Sequence, residues 1–175
     1  LVAVDPSNGY VKALVGGKDF QASQVNLATG GGGTGRQAGS SFKAFTLAAA
    51  IQMGISPQTL IDCTSPMTLP DGTRIENFGN RDYGIRSIQR ATAVSSNTGY
   101  IRLTQEITPE AIAEMAGLVG ITSTLNPVLT LTEGTSEVTP LEMASAYATF
   151  AANGVKHEAT AITKIVDYEG NVVYE

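Results

Sequence analysis

The chain has 175 residues, enough for one domain with a real core, and no run approaches the eighteen or so apolar residues of a membrane span. At 42% hydrophobic and 15% charged it reads as an ordinary globular protein, and its net charge of −5 argues against a nucleic-acid partner, which selects a basic face. A single cysteine, Cys63, excludes an internal disulfide, and one histidine, His157, outside any Cys/His cluster argues against zinc.

Residues 1–5 and 10–15 are apolar runs around "DPSNG", where Pro6 fixes φ and Gly9 accepts a positive one, predicting a β-hairpin. Residues 20–35 turn polar and glycine-rich, a loop. Residues 40–53 predict a helix stopped by Gly54, apolar nearly all round and therefore buried on all sides. Residues 56–83 are turn-rich with few periodic features, and a loop that long in a compact domain is expected to be functional. Helical periodicity returns in "IRSIQRATAVSSNTGYIRLTQEI", with a break expected at residues 95–99. "TPEAIAEMAGLVG" begins with Thr108 as cap, Pro109 and Glu110, and "TSEVTPLEMASAYATFAANG" repeats those signals with Thr139, Pro140 and Glu142 before ending at Gly154. The last fifteen residues predict a second hairpin turning at Glu169-Gly170-Asn171. Hairpin, helices, hairpin is an α+β order.

Two constellations carry chemistry. Gly33-x-Gly35-x-x-Ala38 has the dinucleotide spacing, but no strand leads into it and no acidic residue follows about twenty positions on, so it reads as a loop. Ser40 and Lys43 are different. A helix sets residues i and i+3 on one face, so hydroxyl and amine can meet, whereas Ser41 points elsewhere. A lysine inside an apolar helix loses hydration, which lowers its pKa and frees amine. A free amine beside a hydroxyl is a general base beside a nucleophile, here at a helix start that favours developing negative charge. The bland alternative is a capping Ser40 and a Lys43 that snorkels to solvent. Ser95-Ser96-Asn97, on the expected helix break, adds a second polar group suited to a cleft, although Ser and Asn also gather in ordinary turns.

Ser40-x-x-Lys43 followed by Ser95-x-Asn97 resembles the first two motifs of the penicillin-recognising acyl-serine transferases. The likeness runs along the chain: "LVAVDPSNGYVKALVGGKDF" resembles the opening strands of the transpeptidase domain, and "GRQAGSSFKAFTLAAAIQMG" its nucleophile helix. "SIQRATAVSSNTGYIRL" resembles the second-motif region, and "EGTSEVTPLEMASAYATFAANG" a late helix of the bifunctional, class A penicillin-binding proteins. Ala38 and Ala44 stand where that family often has proline. The third motif, Lys-Thr-Gly, is absent: Lys12, Lys18, Lys43, Lys156 and Lys164 precede Ala, Asp, Ala, His and Ile.

The resemblance implies the N-terminal part of a transpeptidase fold over residues 1–175, a helical subdomain plus part of an antiparallel sheet. It implies a serine-type D-Ala-D-Ala transpeptidase or carboxypeptidase, acting on peptidoglycan stem peptides and blocked by β-lactams. Ser40 is then the nucleophile, Lys43 its base and Ser95 a proton relay, while Asn97 binds substrate or orients Lys43. The Ser40 backbone N–H would form half of an oxyanion hole. No metal or cofactor is implied. The remaining part of the domain is expected as a second chain or a further segment, and the fragment alone is expected to be inactive. Its opening hairpin is expected to show an unpaired edge and an uncovered apolar face. The location implied is the extracytoplasmic face of a bacterial membrane, with anchor and glycosyltransferase domain outside this chain. Three rivals stay open: a class A β-lactamase, which needs a further glutamate (Glu110, Glu114 and Glu133 are present); a β-lactam sensor that is acylated without turnover; and a structural protein.

Overall fold

A computed structural model describes residues 1–31 and 35–175. Part of the glycine-rich stretch, residues 32–34 with the Gly33 of the dinucleotide spacing, lies outside the described residues. Strands β1 (Val2–Val4) and β2 (Val11–Leu14) lead to a 3-10 turn, Gly39–Phe42, and helix α1 (Lys43–Gln52). Short strands β3 (Leu60–Asp62), β4 (Met67–Thr68), β5 (Arg74–Ile75) and β6 (Ile85–Ser87) follow. Helices α2 (Ile88–Ala93), α3 (Asn97–Ile107) and α4 (Pro109–Val119) come next, then a second 3-10 turn, Leu129–Glu133. Helix α5 (Pro140–Ala151) and strands β7 (Ile165–Val166) and β8 (Val172–Tyr174) complete the order, which is α+β as expected. The chain divides into two compact units.

The first unit comprises Leu1–Arg36, Val119–Thr122 and Val138–Glu175. Antiparallel β1 and β2 pair Val2 with Leu14 and Ala3 with Ala13, and the turn between them is closed by Gly9 N–H donating to Asp5 O at 2.8 Å. Gly9 is required twice over: its φ is +77°, and a Cβ there would meet Glu158 O. The hairpin is less bare than the sequence suggested. Helix α5 packs against β1, and Val11 N–H donates to Thr160 O at 2.9 Å, so a later segment pairs with β2. The helix α5 therefore belongs with the hairpin, not with the helices before it. It starts where the signals Thr139, Pro140 and Glu142 predicted, and those residues close a capping box: Glu142 N–H donates to Thr139 Oγ1 and Thr139 N–H to Glu142 Oε2, at 3.1 and 2.7 Å. The last hairpin, β7 with β8, turns through Gly170 as predicted and leaves Val172, Val173 and Tyr174 exposed.

The second unit comprises Gln37–Leu118 and Ser123–Glu137. Its core is Phe42, Phe45, Ile88, Tyr100, Ile101, Ile107, Ile112 and Leu131, each at most 1% exposed. Helix α1 is buried on one face only, through Phe45, Thr46, Ala49 and Ala50 at helical spacing, while Ile51 and Met53 are exposed. That corrects the expectation of burial all round: α3 and the Leu129–Glu133 turn cover the inner face, and the last turn runs past them. Thr108, with φ of +73°, ends α3 and caps α4, its hydroxyl accepting from Ala111 N–H at 3.4 Å. The predicted loop over residues 56–83 contains strands: β3 pairs with β6 and β4 with β5, both antiparallel.

One close approach holds the turn that carries Ser40. Gly134 has φ of +66°, and a Cβ there would lie 2.4 Å from both the backbone N and O of Gly39. Backbone cannot rotate out of the way, so Gly134→Ala is expected to cost about 2–4 kcal/mol, combining left-handed strain with a steric clash. Urea unfolding measures it, and an unchanged midpoint would show that the two backbones do not touch.

Candidate active site

The sequence places Ser40 with Lys43 on one predicted helix and Ser95 with Asn97 on a helix break about fifty residues later, and the second unit brings all four to one point, the Lys43 side-chain nitrogen. Ser40 lies in the 3-10 turn and Lys43 is the first residue of α1. The tighter turn still brings i and i+3 together: Nζ is 3.1 Å from Ser40 Oγ. Ser40 is exposed and caps nothing, since neither the turn nor α1 has a side-chain cap. Lys43 does not snorkel; it is 4% exposed. Ser41 points away and donates to Ala38 O at 2.7 Å.

The helix break is shorter than predicted. It spans residues 94–96, while Asn97 and Gly99 already lie in the first turn of α3, capped by Ser96 Oγ accepting from Gly99 N–H at 3.0 Å. Ser95 sits at φ of +52°, a conformation that costs a non-glycine residue free energy. The conformation aims both its oxygens at one target: Lys43 Nζ lies 3.0 Å from Ser95 O and 3.2 Å from Ser95 Oγ. Asn97 Oδ1 is closer still, 2.7 Å from Nζ, and its orientation is fixed because Nδ2 donates to Glu76 O at 2.8 Å.

Two further residues support this arrangement, one that sequence reasoning missed and one that it named only for a rival reading. Asn77, 2% exposed, comes from the turn-rich stretch. Its Oδ1 accepts from Asn97 N–H at 2.8 Å, Thr98 N–H at 3.2 Å and Ser96 Oγ at 3.1 Å. Its Nδ2 donates to Cys63 O at 3.1 Å and Arg81 O at 3.0 Å, so one side chain ties the start of α3 to the long segment before α2. An asparagine among charged and glycine neighbours in "IENFGNRDYG" gives no sign of burial. Glu133 is the second. Of the three glutamates considered, Glu110 and Glu114 are exposed on α4, whereas Glu133 Oε2 lies 3.4 Å from Lys43 Nζ. A buried hydrogen bond between Thr46 and Thr132 hydroxyls, 2.8 Å, fixes the turn that carries Glu133 against α1.

Burial pushes the Lys43 ammonium below the ordinary lysine range, and the facing Glu133 carboxylate partly opposes this. Burial likewise pushes the Glu133 carboxyl up, with Lys43 opposing. Above them opens a cleft of about 670 Å³, lined among others by Ser40, Arg81, Tyr83, Ser95, Asn97 and Glu133. An exposed hydroxyl within hydrogen-bonding reach of a buried amine whose protonated form is destabilised has the geometry of a nucleophile beside a general base. Among the described residues no cluster of three or more His, Cys, Asp or Glu is arranged to hold a metal ion.

Comparison with known proteins identifies the family. The family model for the penicillin binding protein transpeptidase domain matches residues 1–175. Penicillin-binding protein 1A of Mycobacterium tuberculosis is 36% identical over 191 residues, covering 100% of this chain and 22% of that protein. Its Aquifex aeolicus counterpart is 34% identical, covering 100% of this chain and 24% of its own length, so the chain spans about a quarter or less of these relatives. The structure of PonA1 from Mycobacterium tuberculosis in complex with penicillin V superposes at a TM-score of 0.89, with 34% identity over 99% of this chain and 48% of that one. Penicillin-binding protein 1A from Haemophilus influenzae superposes at 0.86, with 29% identity over 99% of this chain and 26% of that one. With the whole length matched and a serine–lysine pair at its centre, the chain belongs to the penicillin-binding protein transpeptidase domain family.

Proposed function

We propose that this chain supplies the acyl-transfer centre of a D,D-transpeptidase that cross-links peptidoglycan stem peptides and is blocked by β-lactams. The observation that carries the reading is the contact of 3.1 Å between Lys43 Nζ and Ser40 Oγ inside a cleft. Ser40 Oγ attacks the carbonyl of the penultimate D-alanine, its proton passes to the Lys43 amine, and the carbonyl electron pair moves onto oxygen. When the tetrahedral adduct collapses the C–N bond breaks, and the leaving D-alanine nitrogen takes the proton from Lys43 through the Ser95 hydroxyl, 3.2 Å from Nζ. An amine of a neighbouring stem peptide then displaces Ser40, giving up a proton that returns to the serine. A β-lactam follows the first step, but its leaving nitrogen stays tethered and the ester persists. Asn97 orients Lys43, and its amide also borders the cleft where substrate would lie.

Supporting this reading is the PonA1 neighbour, whose structure holds penicillin V. We further read residues 1–175 as the first part of the domain, its Lys-Thr-Gly motif supplied by polypeptide outside them. We place the reaction at the extracytoplasmic membrane face, as the likeness to class A relatives suggests; no helix among the described residues is itself long and apolar enough to cross a membrane.

The test is covalent mapping. Penicillin added to the intact polypeptide carrying this chain is expected to leave its adduct on the Ser40 peptide, read by mass spectrometry after digestion. An adduct on Ser41, or labelling that survives Ser40→Ala, would refute the assignment.

A further inference from the structure

The contacts of Lys43 raise a question of protons. Nζ faces two oxygens that can only accept, Asn97 Oδ1 at 2.7 Å and Ser95 O at 3.0 Å. A neutral amine has two N–H groups and one lone pair. Those two carbonyl oxygens occupy both N–H groups, which leaves the lone pair for the hydroxyl of Ser40. The third proton of the ammonium form then needs somewhere to go, and one anionic group is within reach: Glu133 Oε2 at 3.4 Å. The other Glu133 oxygen is buried and accepts no hydrogen bond. That situation is costly for a carboxylate and milder for a neutral carboxyl.

We propose that Glu133 is the proton acceptor of Lys43: the pair shares one proton, and it resides on the Glu133 carboxyl when Ser40 attacks. This deepens the acyl-transfer reading and rests on it. The step is balanced. Lys43 –NH3⁺ and Glu133 –COO⁻ become –NH2 and –COOH with no proton drawn from solvent; rotation about Cε–Nζ turns the freed lone pair from Glu133 to Ser40, and the amine then takes the Ser40 proton as the Oγ–C bond forms. When the acyl group has been passed on and Ser40 has its proton back, the Glu133 proton returns to Lys43. The opposed displacements of the two groups by burial shrink the gap between ion pair and neutral pair. Few other titratable groups face them. Tyr100 on α3 lies with its ring 5.5 Å from Nζ and its hydroxyl bonded to Thr92. Arg81 and Tyr83 line the cleft, the Glu76 carboxylate is paired with Arg74, and the Gly39–Phe42 turn contributes none.

An internal acceptor has a signature that a mere counter-charge lacks. While the pair shares one proton, its tautomers are in fixed ratio, so the acylation rate stays level as pH falls until Glu133 also takes a proton from solvent. Glu133→Gln removes the acceptor, and Lys43 must then lose its proton to solvent. Its rate is expected to fall about tenfold for each pH unit below the Lys43 titration, where the wild type stays level. Glu133→Asp, which keeps a carboxylate, is expected to restore the level profile at a reduced rate.

The measurement is the rate of labelling by a fluorescent penicillin between pH 5 and 9 on the intact polypeptide, each rate normalised to the sites titrated at saturation so that only folded enzyme counts. A Glu133→Gln profile as level as the wild type, a faster rate with the profile merely displaced toward acid, or a change confined to release of the acyl group would each overturn the proposal. Ser40→Ala run alongside separates the two readings. Labelling of that variant defeats the acyl-transfer assignment itself, while its silence beside a level Glu133→Gln profile defeats the role of Glu133 alone.

Discussion

Lys43→Arg is expected to slow acylation by penicillin about 10²–10⁴-fold, the worth of a positioned general base. The substitution keeps the positive charge and the capacity to donate to Asn97 and Ser95, so a lysine that only anchored the cleft would tolerate it. A base would not. Guanidinium stays protonated at any pH the protein survives and has no lone pair to offer Ser40. Fluorescent penicillin labelling, followed in time, measures the effect, and raising the pH is not expected to rescue it. Acylation within about twofold of wild type would reduce Lys43 to an electrostatic anchor.

Asn77→Ala is expected to be the most damaging change among residues with no place in the bond-making steps. It leaves the buried N–H of Thr98 and the part-buried N–H of Asn97 without this acceptor, and the buried Cys63 O and part-buried Arg81 O without this donor. Unsatisfied buried groups cost about 1–3 kcal/mol each, so a loss of about 3–5 kcal/mol of stability is expected. Because Asn77 fixes where α3 begins, the change also displaces Asn97 and Ser95 against Lys43. A misplacement of about 1 Å is worth about 10²-fold in rate. Urea unfolding and acylation of the remaining folded fraction separate the two effects. Asn77→Asp keeps the acceptor oxygen and loses both Nδ2 donations, so it is expected to fall between wild type and alanine. A stability change under about 0.5 kcal/mol for the alanine variant, a level typical of uninvolved surface sites, would show that the helix start is held by other means.

Much of the local structure was legible because it rests on local rules. Thr139, Pro140 and Glu142 specify a helix start through groups within one turn, and the structure has that capping box. Gly9 and Gly170 mark turns through their own φ, and both hairpins form. The Ser40–Lys43 contact was legible for the same reason, since three residues of either helical type bring those side chains together. That Lys43 would be buried and destabilised as an ammonium followed from its apolar neighbours. The short strands β3 to β6 escaped notice because two or three residues are too few to show a period of two, and their pairing partners lie up to 27 positions away. The burial of α1 on one face only was decided by where α3 and the Leu129–Glu133 turn dock.

The Ser40–Lys43 contact, then, was determined by sequence alone, because it is a matter of spacing and side-chain chemistry. Only the tertiary structure decided what surrounds that pair. Asn77 and Glu133 stand 34 and 90 positions from Lys43 in chains of residues whose composition is ordinary for loops and turns. Nothing local distinguishes them from exposed polar residues. Their roles arise when packing removes water from their side chains, leaving Asn77 to satisfy the backbone at the start of α3 and Glu133 to face a lysine as the sole anion within reach among the described residues. Desolvation is a property of the assembled core, and no stretch of sequence carries it by itself.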